Sequence, residues 1–278
     1  MVYQSANRTY EQWFGKPVSE IVGKRIEDVL PEKVLQIMLP HIQKALAGEP
    51  MRDFTYKAGG NLPGYPAYVT LNYIPEYDSE GTVTGFNVLG FDATERLDHE
   101  QALEKLAYRD SLTDLPNRRL FIDRLQHALA QAERDQKLIA LLYLDIDKFK
   151  QINDTHGHDC GDLLLQAFAT RLRSNVRSND TVARLGGDEF TIILDGIPSG
   201  EVAGHVAKKI LTAMRVPFDL DGHLLNVTTS IGIAFANGSG ITPTTFLQRS
   251  DQALYLAKES GRNCYAVSSE ALKVDEAA

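Results

Sequence analysis

The chain has 278 residues, of which 43% are hydrophobic, and carries a formal net charge of −8 with a pI near 5.4. That length suits two domains with a core each, and the acidic balance argues against a duplex nucleic-acid binder, which needs a basic face. The two cysteines, Cys160 and Cys264, are too few for a disulfide framework and read as reduced thiols. No apolar run reaches the ~18 residues of a membrane helix, and no signal peptide is visible at Met1, so a cytoplasmic protein is expected.

Residues 7–15 read as a short amphipathic helix stopped by Gly15, and 34–47 as a longer one stopped by Gly48. Between them lie a loop and another short helix. Three strand-like runs follow at 51–56, 67–75 and 83–91, separated by Gly, Pro and Asp turns. This order, closed by Gly90-Phe-Asp-Ala-Thr-Glu-Arg96, resembles a PAS sensor domain over residues 1–92, with the usual first strand missing. The resemblance leaves the bound ligand unknown. A filled apolar core, a flavin and a haem are the alternatives, and Trp13, Phe14 and His41 are the residues to inspect. A lone histidine on a helix is expected at the surface.

Residues 93–109 are charged and free of Gly and Pro, and read as a connecting helix. Leu97, Leu103, Leu106 and Ala107 give it an imperfect stripe, too short for a coiled coil by itself. Beyond it helices and strands alternate. Helices are expected at 120–134, 161–176, 201–214 and 243–260. Strands are expected at 138–146, 224–235 and 263–267, with a hairpin over 181–195. The pattern predicts an α+β fold with a central, mostly antiparallel sheet flanked by helices.

Two acidic clusters carry the chemistry. Arg184-Leu-Gly-Gly-Asp-Glu-Phe190 stands between two β-rich runs, so its glycines read as a hairpin turn presenting Asp188 and Glu189. The apolar strand 138–146 runs into Asp145-Ile-Asp147, and alternation puts Asp145 and Asp147 on one face. Carboxylates at a strand end and a tight turn suit a hard cation held against phosphate. The bland reading is a solvated strand end beside a solvated turn.

These clusters, with Asp110-Ser-Leu-Thr-Asp-Leu-Pro-Asn-Arg-Arg119, Asp145-Ile-Asp-Lys-Phe-Lys-Gln-Ile-Asn-Asp154, Gly157-His-Asp-Cys-Gly-Asp162 and Ala257-Lys-Glu-Ser-Gly-Arg-Asn263, resemble the GGDEF family of diguanylate cyclases over residues 110–270, leaving 271–278 as a tail. The resemblance implies a palm-like domain that joins two GTP molecules into cyclic di-GMP across a homodimer, with 93–109 as a signalling helix. It implies two Mg²⁺ ions per GTP site, replaceable by Mn²⁺, held by Asp145, Asp188, Glu189 and the Ile146 carbonyl. Glu189 completes the metal site or helps deprotonate the attacking hydroxyl. Lys150, Lys258, Arg262 and the backbone of Lys148 and Phe149 fall on the phosphate-binding positions, and Asn153 and Asp162 on those that read guanine. On the residues alone, Lys258 and Arg262 four apart share one helix face, and Asp162 suits a helix cap.

Arg177-Ser-Asn-Asp180 matches the family's inhibitory product site, where Lys209 and Lys208 stand in for an arginine that other members supply. Arg184 reads as the structural partner of a carboxylate. Two positions depart from the commoner pattern: Asp188, where many relatives have Glu, and Asp114, where most have Gly. If position 114 needs a positive φ, aspartate tolerates it better than most residues. The competing expectation is a non-catalytic receptor for cyclic di-GMP or GTP.

Overall fold

The computed structural model describes residues 1–58, 64–237 and 240–269. The predicted tail 271–278 and part of the turn after the first strand lie outside these residues. The chain divides into two compact units, Met1–Leu103 and Glu104–Ala278.

In the first unit, α1 (Arg8–Phe14), α2 (Val18–Ile21), α3 (Ile26–Val29) and α4 (Glu32–Leu46) precede the strands β1 (Met51–Lys57), β2 (Tyr68–Tyr77) and β3 (Val83–Asp92). Asn7 caps α1 by accepting from the Tyr10 N–H, and Gly15 ends it in the left-handed region at φ 64°. The strands form an antiparallel sheet in the order β1-β2-β3. Alternate residues Val69, Leu71 and Tyr73 of β2 turn inward onto Met38, Ile42 and Ala45 of α4. The core is aromatic: Trp13 and Phe14 pack edge-on against Tyr65, and Tyr73 packs against Phe86.

His41 corrects an expectation. Its ring lies 4.0 Å from that of Phe54, and Nδ1 is buried without a hydrogen-bond partner. Burial pushes its pKa below the ordinary histidine value, and nearby Lys44 adds to the effect. The apolar stripe of α4 takes the ring inward, where the sequence suggested solvent.

The helix α5 (Thr94–Tyr108) runs from the first unit into the second. There follow α6 (Arg118–Asp135), β4 (Leu138–Ile146), α7 (Phe149–His156), α8 (His158–Ser174), β5 (Thr181–Gly186), β6 (Glu189–Ile197), α9 (Gly200–Met214), β7 (Phe218–Leu220), β8 (His223–Leu225), β9 (Thr229–Ala236), α10 (Pro243–Glu259) and β10 (Tyr265–Val267). Five strands form one sheet in the order β10-β9-β4-β6-β5, antiparallel except for the β10–β9 pair.

The central strand β4 is covered on both faces, which explains its unbroken apolar run. Ala140, Leu142, Leu144 and Ile146 face a core shared with α8 and α9. Ile139 and Leu141 face the opposite core, built with Phe121, Leu125 and Leu129 of α6 and Phe246 of α10. By alternation Tyr143 and Asp145 belong to this second face. On the same sheet a Cβ at Gly232 would collide with the backbone of Ser250 and Leu254. The bare glycine lets α10 lie directly on β9, and so sets the height of Lys258 above the strand ends.

Several boundaries differ from the sequence reading. The expected strand 224–235 is broken at Asn226. β8 pairs with β7 in a separate ribbon closed by Asp221 and Gly222, both at positive φ, while β9 joins the main sheet. Phe149–His156 is a helix where only a turn was expected. Gly157 at φ 84° turns the chain straight into the next helix, which therefore starts at His158. Asp162 thus stands in the second turn of α8 and does not cap it. The helix α10 ends at Glu259, so Lys258 and Arg262 do not share a helix face; Arg262 follows Gly261 in the left-handed region at φ 64°.

Candidate active site

The Gly-Gly turn lies where β5 and β6 meet. Gly186 pairs with Glu189 in the ladder, leaving Gly187 and Asp188 as the two turn residues. Gly187 has φ 52°, a conformation glycine adopts without steric cost. Arg184 clamps the turn from behind: Nε and Nη2 donate to the Gly187 carbonyl at 2.9 and 2.8 Å. Its Nη1 donates to both oxygens of Asp110, at 2.9 and 3.1 Å. Asp110 also accepts from the N–H and hydroxyl of Thr113. Burial alone raises the Asp110 pKa, but the hydrogen bonds from Thr113 and Arg184 outweigh it and hold the carboxyl below its ordinary value. Asp114, four residues on, has φ 55°, the positive value for which aspartate suits the position.

The turn faces the end of β4. Asp145 and Glu189 are direct partners across the β4–β6 ladder, with Asp188 one residue before. Lys258 of α10 reaches down to this group and places Nζ 2.8 Å from Asp145 Oδ2. Burial raises the Asp145 pKa; the bond from Lys258 opposes this, while Asp188 and Asp147 add repulsion. A set of hard oxygens that repel one another is a fitting cradle for a divalent cation. Among the described residues no three His, Cys, Asp or Glu side chains form a closed metal group. An open set suits Mg²⁺, which takes one or two carboxylates and completes its shell with water and substrate phosphate.

Asp145 and Asp147, expected as one cluster, have separate tasks. Asp147 is 7% exposed and accepts from the hydroxyls of Thr228 and Ser230, both at 2.7 Å, and from the Asn263 N–H at 3.1 Å. Its lone pairs tie the end of β4 to β9 and to the loop after α10. Ile146 has a fully buried side chain, so only its backbone could serve a ligand.

Lys148 adopts φ 61° and caps the start of α7; its carbonyl accepts from the Gln151 N–H at 2.9 Å, which leaves the Phe149 and Lys150 N–H groups without intrahelical acceptors. Lys148 and Arg262 line one cleft of about 520 Å³, with Asp147, His156, Thr228 and Asn263. Lys150 is exposed one residue inside the helix. Asn153 lies on the far side of α7, where Gly161 of α8 approaches so closely that a Cβ there would overlap Asn153 Oδ1. That oxygen is buried and accepts no hydrogen bond. Asp162, next to Gly161, is exposed.

Arg177 and Asp180 form a separate group at the other end of β5, roughly 20 Å of strand from the acidic turn. The Arg177 N–H donates to Asp180 Oδ2 at 2.8 Å. Burial raises the Asp180 pKa, and contacts with Arg177 partly offset this. Lys209 Nζ donates to the Asn175 carbonyl at 3.2 Å, close in sequence to Arg177. Sequence reasoning gave no task to Asp110 or to the Thr228–Ser230 pair. Only the leading aspartate of the Asp110–Arg119 stretch left a sequence signal; the others read as ordinary strand residues.

A sheet with an acidic turn set against an aspartate-ended central strand defines a nucleotide-cyclase type of domain. Residues 107–264 match the family model described as diguanylate cyclase, GGDEF domain, and residues 1–98 match that described as PAS fold. The chain belongs to the GGDEF diguanylate cyclase family.

It is 44% identical over 163 residues to the bifunctional diguanylate cyclase/cyclic di-GMP phosphodiesterase MucR of Pseudomonas aeruginosa, covering 59% of this chain and 24% of that protein. It is 42% identical over 166 residues to the diguanylate cyclase TpbB of the same species, covering 59% of this chain and 38% of that protein. The chain thus spans well under half the length of these curated relatives. Among solved structures, the coiled coil and GGDEF domain of DgcB from Caulobacter crescentus, in complex with c-di-GMP, superposes with a TM-score of 0.58 at 31% identity, covering 62% of this chain and 92% of that one.

Proposed function

We propose that this protein condenses two GTP molecules into cyclic di-GMP with release of pyrophosphate. The observation that carries the reading is the Asp145–Glu189 pair across the ladder, closed by the Asp188 turn and crossed by Lys258. The activities of the relatives, diguanylate cyclases, support the same chemistry.

Asp145, Asp188, Glu189 and the Ile146 carbonyl would hold Mg²⁺, two per GTP and replaceable by Mn²⁺. When bound, the metal neutralises phosphate charge and lowers the pKa of the ribose 3′-hydroxyl. Glu189 stands ready to take the hydroxyl proton as its oxygen attacks the α-phosphorus of the second GTP. The bond from that phosphorus to the bridging oxygen breaks and pyrophosphate leaves; the reciprocal transfer, from the second GTP's 3′-hydroxyl to the first's α-phosphorus, closes the ring and releases a second pyrophosphate. Lys150, Lys258, Arg262 and the N–H groups of Lys148 and Phe149 bind and orient the triphosphate. Asn153 and Asp162 read guanine.

Each domain offers one such site and the product joins two nucleotides, so the active form is a homodimer that draws on cytoplasmic GTP. The PAS-like residues 1–92 and the linking helix 93–109 govern how the catalytic domains, 110–270, meet. Cyclic di-GMP binds Arg177, Asp180 and Lys209 and inhibits. Among the described residues no helix is long and apolar enough to cross a membrane.

The test is incubation with GTP and Mg²⁺, with nucleotides separated by chromatography, beside a Glu189→Ala control. Cyclic di-GMP from the parent and none from the control is the expected result. No product from the parent, with tight Arg177-dependent binding of cyclic di-GMP, would replace the enzyme with a receptor.

A further inference from the structure

The cleft beside α7 has a lining that the chemistry above uses only in part. One wall is the helix face of Gln151, Ile152, Thr155 and His156, which recur at helical spacing. The other is Asn226, where the chain leaves β8 for β9, and the turn Gly261-Arg-Asn263. Asp147, one residue before Lys148, ties this second wall to the start of α7: Oδ1 accepts from Ser230, and Oδ2 from Thr228 and from the Asn263 N–H. From Lys148 to His156 the helix advances about 12 Å. The cleft of about 520 Å³ is therefore a trough that leads along α7 away from the strand end bearing Asp145, and its size is that of a small-molecule site.

The trough is rich in donors. Lys148 and Arg262 bring two cations, and among the described residues neither makes an ion pair, nor do the side chains of His156 and Asn226 make a hydrogen bond. The lining has one carboxylate, Asp147, and its oxygens are already engaged. Asn263 Oδ1 accepts from Arg215 Nε at 3.3 Å, which sets a third cation behind the turn and leaves the amide NH₂ to donate. Such a group of cations without carboxylate partners stands out in a chain of net charge −8. Arg262 and Asn263 follow Gly261 with φ of 64° and 50°. Two successive non-glycine residues keep that conformation only where the surroundings hold it. Here the Arg262 N–H donates to the Ala257 carbonyl and the Asn263 N–H to Asp147, and the result is an Arg262 that lines the trough.

Cations beside amide and imidazole donors suit an anion with many oxygens, and an imidazole donates from at least one ring nitrogen in either charge state. We propose that the trough is a polyphosphate subsite, in which His156 and Asn226 join Lys148 and Arg262 in binding the phosphate tail of GTP and the pyrophosphate that it releases. This rests on the cyclase reading above, which supplies both anions. The trough gives the leaving group a path away from the acidic turn, whose carboxylates repel it.

The experiment titrates inorganic pyrophosphate into the full chain by calorimetry in metal-free buffer, so that the carboxylates of the turn cannot bind it through a cation. The parent is compared with His156→Ala, His156→Arg, Asn226→Ala and, as a control on α6, His127→Ala. Loss of one hydrogen bond to a charged group predicts a dissociation constant about tenfold higher for His156→Ala. A several-fold rise is expected for Asn226→Ala. His156→Arg should restore parent-like binding, and His127→Ala should match the parent. Thermal midpoints should agree across the set, since His127, His156 and Asn226 are exposed. Initial rates with Mg²⁺ and added pyrophosphate separate the two anions. In His156→Ala, weaker inhibition with a raised KM for GTP places the tail in the trough, and weaker inhibition at an unchanged KM places the leaving group alone there. No binding by the parent would overturn the proposal, as would parent-like binding by both His156→Ala and Asn226→Ala. An equal loss in His127→Ala would also overturn it, because attraction to charge at large would then suffice. A parent that binds pyrophosphate through His156 yet makes no cyclic di-GMP would overturn the cyclase reading and leave the subsite standing.

Discussion

Lys258 Nζ lies 2.8 Å from Asp145 Oδ2, so a residue expected to bind phosphate holds a residue expected to bind metal. The two side chains are 32% and 15% exposed, which makes the bond a partly desolvated one. The ammonium offsets part of the charge that Asp145, Asp188 and Glu189 bring together, and in the proposed reaction it passes to the triphosphate. Lys258→Met removes that charge from a site that still contains three carboxylates. A charge-assisted hydrogen bond is worth about 1.5–3 kcal/mol, so kcat/KM for GTP should fall roughly 10- to 150-fold. Initial rates across GTP concentrations check this, and an unchanged kcat/KM would remove Lys258 from the site.

The Asp110–Arg184 clamp should show itself in the pH dependence of stability. Asp110 has its pKa held below the ordinary carboxylate value in the folded state. Its contribution is therefore present above the unfolded pKa of about 3.9, and is lost as pH falls through the lower folded value. Asp110→Asn should be less stable than the parent by about 1–3 kcal/mol at pH 7. That gap should narrow steadily once the pH drops below about 4. Urea denaturation of both proteins at several pH values measures it. A gap that stays constant down to the acid limit would show that the charge of Asp110 is irrelevant.

Gly161 is a sharp probe of base recognition. A methyl group there would overlap Asn153 Oδ1 and come within 3.3 Å of Phe149. The Asn153 amide is the softer neighbour and must swing away. Gly161→Ala should fold, since alanine favours the helix, yet lose at least about tenfold in preference for GTP over ATP. Competition between the two nucleotides reads this ratio directly.

The proposed product site makes a different prediction. Asp180 accepts from the backbone N–H of Arg177. Arg177→Ala should keep the turn while removing the planar group that stacks on guanine and forks to phosphate. Inhibition by added cyclic di-GMP should weaken at least about tenfold. An unaltered inhibition curve would rule this group out as the product site.

Local signals in the chain were strong wherever one element dictated them. The apolar run into Asp145 marked a strand buried on both faces, and the Gly-Gly pair between β-rich segments marked the hairpin turn. A positive φ at Asp114 was foreseen as a possibility because the residue type there is one that tolerates it. The ends of elements were less legible. One glycine, Gly157, joins α7 to α8 with no further loop, and nothing nearby announces so abrupt a junction. The break between β8 and β9 arises because Thr228 is drawn to Asp147, a partner 81 residues away in sequence.

The sequence by itself pointed to two domains and showed that the second bears the motifs of a GGDEF cyclase. The first follows from length and the periodicity of the elements, the second from the order of short motifs, and both signals are local. Only the tertiary structure decided that Asp147 braces while Asp145 is set against Glu189, that Lys258 meets Asp145, and that Arg262 leaves the helix to line the cleft with Lys148. Each of these depends on strand register and on how closely α10 lies over β9. Those are properties of long-range packing, in which residues far apart in the chain settle one another's positions.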